Sequence, residues 1–62
     1  MDINKLVKSW VEEFKEKDNV LICNTIEIVE RVEKALIIED LWYETRLENG
    51  CTRFVKSDRQ PY

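Results

Sequence analysis

The sequence predicts a single α+β domain: an N-terminal amphipathic helix packed on one face of a three- or four-stranded antiparallel β-meander. Three observations carry that expectation. Apolar residues recur at helical spacing from Ile3 to Phe14, Asn49-Gly50 separates two runs of β-branched and aromatic residues, and the chain is only 62 residues long. A chain of that length holds one domain and buries only about 60% of the surface its unfolded form exposes, so its stability is marginal unless a partner adds to it. The expected domain covers residues 1–57. The polar stretch 58–62, which carries the single proline, is expected to be a flexible C-terminal tail.

The helix is expected over Asp2 to Lys17, with Ile3, Leu6, Val7, Trp10, Val11 and Phe14 on one stripe. Asp2 suits the positive end of the helix, Lys15 and Lys17 suit the negative end, and Asp18-Asn19 stops it. Such a stripe is the core face of a small domain in preference to a membrane-lying surface. A helix lying on a membrane has a basic polar face, whereas here Lys5, Lys8, Lys15 and Lys17 are balanced by Glu12, Glu13 and Glu16.

The run from Val20 to Cys23, bounded by Asn19 and Asn24, fits a short buried strand. Residues 25–33, TIEIVERVE, admit two readings. As a strand, Ile26, Ile28 and Val32 share a face with Glu30, and a hairpin near Glu33-Lys34 would complete the meander. As a helix, Asn24 would cap with Glu27 at N3, and Ile26, Val29, Val32 and Leu36 would form the stripe. The isoleucine and valine content makes the strand the preferred reading. Ala35 to Leu47 would then be a strand of about 43 Å at roughly 3.3 Å per residue, too long for one helix to cover, with a bend or bulge at Glu39-Asp40.

Asn-Gly between such runs marks a hairpin. A two-residue type I′ turn would set Glu48 opposite Cys51 and Arg46 opposite Arg53, and like charges directly opposite are unfavourable. A three-residue loop with Gly50 in a G1 bulge avoids that clash and is the preferred register, with Leu47 facing Cys51 and Glu44 facing Phe54. It places Leu41, Tyr43, Leu47, Cys51 and Val55 on one face, and Trp42, Glu44, Arg46, Thr52, Phe54 and Lys56 on the other.

Composition bears on function mainly by exclusion. There is no histidine, and Cys23 and Cys51 lack metal-ligand spacing, so no metal and no cofactor are expected. No nucleotide-binding glycine motif is present, and the acids are spread as solvated faces usually are. The expectation is therefore no enzyme. Cys51 beside Arg53 is read as a packed side chain and not as a reactive thiol. With no leader pattern and no long apolar run, a cytoplasmic location with reduced thiols is expected, with no membrane association and no Cys23 to Cys51 disulfide. High Lys and Glu with a single Gly is a bias of heat-adapted proteins.

The second sheet face supplies the functional expectation. Leu36, Ile38, Trp42 and Phe54, rimmed by Arg46 and Lys56, would form an apolar and aromatic patch of the composition found in protein interfaces. One helix covers one face, so this patch should meet a protein partner or a second copy of the chain, through sheet face or edge. A short acidic chain of this kind resembles many compact phage, viral and mobile-element proteins. The expected role is a small binding modulator, an adaptor or inhibitor of a larger protein, acting as a homodimer. The alternative is a nucleic-acid-binding regulator that stacks bases on Trp42, Tyr43 and Phe54 and contacts phosphates with Arg46, Arg53 and Lys56, against which the net charge of −3 argues.

Overall fold

A computed structural model describes residues 2–59 and shows two helices and a three-stranded antiparallel sheet, the α+β class expected. The order along the chain is α1 (Ile3–Lys17), β1 (Asn19–Ile22), α2 (Ile26–Ile38), β2 (Tyr43–Glu48) and β3 (Cys51–Lys56).

Helix α1 forms as its spacing predicts. Asp2 caps it, its Oδ1 accepting from the Asn4 N–H at 3.0 Å and the Lys5 N–H at 3.4 Å. Val11 and Phe14 are buried, with Val7 and Trp10 packed beside them. Asp18 ends the helix in the left-handed region (φ 60°), a conformation Asp tolerates better than most residues. Its N–H donates to the Phe14 carbonyl at 2.8 Å and its carbonyl accepts from the Lys56 N–H at 2.9 Å, which fastens the helix end to β3. In β1, Val20 and Ile22 point inward and Leu21 outward.

Residues 25–33 are helical, which corrects the preferred strand reading. The cap is Thr25 and not Asn24: Thr25 Oγ1 accepts from the Ile28 N–H at 3.4 Å, and Asn24 Oδ1 accepts from the Thr25 N–H at 2.8 Å. Ile28, Val29, Val32 and Leu36 are buried at helical spacing, while Ile26, which both readings placed inside, is 76% exposed. The β-propensity of isoleucine and valine is a weak preference, and burying a stripe against α1 outweighs it. The long strand from Ala35 disappears with it. The interruption expected at Glu39-Asp40 is real, but it is the end of α2: Asp40 adopts φ 58°, its N–H donates to the Ile37 carbonyl at 3.0 Å, and the Leu41 N–H donates to the Leu36 carbonyl at 2.9 Å. This is a Schellman termination, with Leu41 folded back against the core.

The hairpin takes the register that the sequence reading disfavoured. Asn49 (φ 50°) and Gly50 (φ 81°) are both left-handed, as a type I′ turn requires, and its twist matches that of the flanking strands. Glu48 faces Cys51, Arg46 faces Arg53 and Thr45 faces Phe54. The repulsion expected between the two arginines is offset because Arg53 donates to Glu48 Oε2 at 2.6 Å and to Asn19 Oδ1 at 3.0 Å. A one-residue change in register exchanges faces between strands. Phe54 therefore lies with Tyr43 (ring centroids 5.2 Å apart) and not with Trp42.

The sheet order is β1-β3-β2, with β3 central and α2 forming the crossover in place of a fourth strand. Both helices pack on the face that carries Val20, Ile22, Tyr43 and Phe54. Phe54, Ile22, Leu36, Val20 and Val32 are fully buried at the centre of that core. Each such side chain contributes roughly 1.5–3 kcal/mol by leaving water. The opposite face, with Leu21, Glu44, Arg46, Arg53 and Val55, has no helix on it among the described residues.

The pairing of β1 with β3 also corrects the expectation for the cysteines. Ile22 faces Thr52, so the next position sets Cys23 opposite Cys51, and the two form a disulfide with a Cα–Cα distance of 4.4 Å. That separation is typical of a non-hydrogen-bonded antiparallel pair, where side chains stand closest. The reduced thiols expected from the sequence give way to this bond because β1 lies beside β3, a pairing between strands distant in sequence. Of the expected tail, residues 60–62 lie outside the described residues. Arg59 donates its N–H to Ser57 Oγ at 3.0 Å.

Candidate functional site

The six residues expected to form one patch are dispersed. Leu36 and Phe54 are fully buried in the core, Leu36 because residues 25–38 are helix and Phe54 because the register turned it toward the helices. Neither can touch a partner. Ile38, 83% exposed, borders a groove between the helices with Asn4, Val7 and Ala35. Arg46 is exposed on the sheet face away from the helices. Only Trp42 and Lys56 are brought together.

Those two residues share a cleft of about 360 Å³ where the C-terminal ends of both helices meet the end of β3. Phe14, Leu41 and Trp42 supply its apolar surface, and Lys15, Asp18, Asp40 and Lys56 are among its charged borders. The size is within the range of small-ligand or side-chain pockets. Trp42 is 40% exposed, and among the described residues every other aromatic side chain is more covered. It is positioned by the turn that ends α2 and by its own carbonyl, which accepts from the Ser57 N–H at 3.2 Å. Lys56 pairs with Asp18 at 3.9 Å, and Lys15 with Glu39.

Sequence reasoning missed Asp18 and Asp40 as builders of this cleft, although it read both positions as interruptions. The usable signal was Asp, a residue that tolerates the left-handed conformation, directly after a helical stripe.

The hydrogen bond that Lys15 donates to Glu39 holds its ammonium above its ordinary pKa, with Glu12 adding to the effect. The hydrogen bond to Glu48 likewise raises Arg53. Both are cations whose charge is reinforced by an acid, the behaviour of structural ion pairs and not of a tuned acid or base.

The expected base-stacking platform does not assemble. Tyr43 and Phe54 are buried against each other, with the Tyr43 hydroxyl 3.4 Å from Glu33 Oε2, and Trp42 lies in a separate cleft. No helix among the described residues is long and apolar enough to cross a membrane. No family model, curated protein or solved structure matches this chain.

Proposed function

We propose that this protein is a small non-enzymatic binding module that adapts or inhibits a larger protein, acts as a homodimer, and uses Trp42 as its anchor. The observation that carries the reading is the 40% exposure of Trp42 in a cleft with Phe14 and Leu41 and a border of both charge signs. Tryptophan is the residue most enriched among interface hot spots, and a half-open apolar pocket ringed by charges gives an incoming side chain both burial and orientation. The partner that fits is a protein segment presenting an apolar or aromatic side chain flanked by charged residues.

The cytoplasmic location belongs to this proposal, in a modified form. The Cys23–Cys51 disulfide is unusual for a reducing cytoplasm, but intracellular proteins of hyperthermophiles retain such bonds, and the Lys- and Glu-rich composition points the same way. The reading is thus a cytoplasm of a heat-adapted cell.

The test compares the proteins retained from a host lysate by wild type and by Trp42→Ala, after circular dichroism has shown that the variant is folded. The reading expects retained proteins that are lost with Trp42→Ala and kept with Ile38→Ala, which alters a different groove. An identical retained set for wild type and Trp42→Ala refutes the anchor.

A further inference from the structure

We propose that the Cys23–Cys51 bond is a redox switch: an external dithiol opens it from the native state and so releases β1 from β3. The inference goes beyond the binding reading above and does not rest on it, since the bridge lies at the start of β3 and the Trp42 cleft at its end.

Access is the first observation. Cys23 follows Leu21 by two residues and Cys51 precedes Arg53 by two, so both stand on the sheet face that no helix covers among the described residues. Cys23 is exposed and Cys51 half-buried, and neither belongs to the core cluster. A disulfide reached from water is the kind that exchanges with other thiols, whereas one sealed in a core must wait for unfolding. Opening this bridge removes no member of the core.

Leverage is the second. Strand β1 is four residues long, and among the described strands it pairs with β3 alone. It carries Val20 and Ile22 into the core. At its end the chain passes through Cys23 and Asn24 directly into Thr25, the cap of α2, where Asn24 Oδ1 accepts from the Thr25 N–H at 2.8 Å. The bridge therefore clamps the junction of a short strand and a helix to the first residue after the Asn49-Gly50 turn. Closing a separation of 28 residues shifts the unfolding equilibrium by about 400-fold in the chain-entropy estimate. A chain of this length typically favours the folded state by a ratio of roughly 10² to 10⁷. Opening the bridge brings the lower part of that range to where folded and unfolded forms coexist.

The exchange balances with a dithiol as its one co-reactant. A thiolate of the dithiol attacks Sγ of Cys23, which belongs to the more exposed residue of the pair. The Cys23–Cys51 bond breaks, and Cys51 leaves as a thiolate that takes a proton from water. The second thiol of the reductant, as thiolate, then attacks the reductant's own sulfur in the mixed disulfide, closing the reductant into a cyclic disulfide and releasing Cys23. Net, two electrons and two protons pass from the dithiol to the protein, and the oxidised dithiol runs the same steps backward.

The test exposes the whole folded chain to a series of dithiothreitol concentrations, each at several urea concentrations below the unfolding transition. Trapping free thiols with iodoacetamide for mass spectrometry follows the bridge, and far-UV circular dichroism follows the fold. The proposal expects a reduction rate that rises in proportion to dithiothreitol and stays flat across that urea range. The reduced chain should lose about 400-fold in its folding equilibrium and regain it with oxidised dithiothreitol. The Cys23→Ser/Cys51→Ser double variant should match reduced wild type, folded or not, and ignore the reductant. A bridge that opens only as urea unfolds the chain would overturn the proposal. So would a reduced chain, or a double variant, that unfolds at the same urea concentration as the oxidised protein.

Discussion

Arg53 donates from Nε to Oε2 of Glu48 at 2.6 Å while standing directly opposite Arg46. This contact makes the type I′ register tolerable, because it supplies a counter-charge beside two facing guanidinium groups. Replacing Glu48 with Ala should therefore destabilise the protein, more at low salt than at high salt, since the lost interaction is screened. Adding Arg46→Ala should restore part of the loss by removing the repulsion. A double-mutant cycle read by denaturant unfolding checks the sign of the coupling.

The Cys23–Cys51 bond closes a sequence separation of 28 residues. By the chain-entropy estimate such a cross-link is worth about 3.5 kcal/mol. A domain of this size has a total stability of roughly 3–9 kcal/mol at typical values per residue, so reduction should remove a large share of it. Unfolding midpoints with and without reductant measure the effect. Thiol titration of the unreduced, unfolded protein should find no free thiol.

The features set by local chemistry were legible in the sequence. The cap at Asp2, the stripe from Val7 to Phe14, the stop at Asp18 and the Asn49-Gly50 turn each depend on residues within a few positions of one another. What depended on distant partners was not. Ile26, Ile28 and Val32 fit a strand as well as a helix until α1 is present to receive Val29 and Leu36. Part of what offsets the facing arginines comes from Asn19, which reaches Arg53 from β1, far away in sequence. The cysteines could be paired only once β1 was placed beside β3. The patch expected around Trp42 inherited both errors, since it borrowed Leu36 from a strand that is a helix and Phe54 from the wrong face. Trp42 and Lys56 share a cleft although the register sets Lys56 opposite Tyr43, because Trp42 precedes β2 and follows the turn that ends α2.

Phe54→Ala should cost about 3–5 kcal/mol, and Leu36→Ala about 2–5 kcal/mol, because both leave cavities in a core with no exposure. Trp42→Ala should cost well under half as much as Phe54→Ala. Thermal unfolding of the three variants separates core residues from a surface anchor. Equal losses for Trp42 and Phe54 would place Trp42 in the core.

Lys15 is paired with Glu39, and its folded-state pKa lies above the ordinary 10.5. A raised lysine pKa contributes stability that is fully present below the unfolded value and is lost as pH rises through the folded value. The stability difference between wild type and Lys15→Met should therefore be constant up to about pH 10 and shrink above it. Because the pair is exposed, added salt should also reduce the difference. Denaturant midpoints of the two proteins across that alkaline range provide the check.

Amide hydrogen exchange along β2, read residue by residue by NMR in dilute solution, tests the topology most directly. With β2 at the end of the described sheet in the observed register, Glu44, Arg46 and Glu48 should exchange slowly and Thr45 and Leu47 quickly. Slow exchange at Thr45 and Leu47 as well in monomeric protein would mean that β2 has a second strand beside it, as in a meander. The opposite alternation would mean that the hairpin is shifted by one residue. Either result would contradict the β1-β3-β2 order of the described strands.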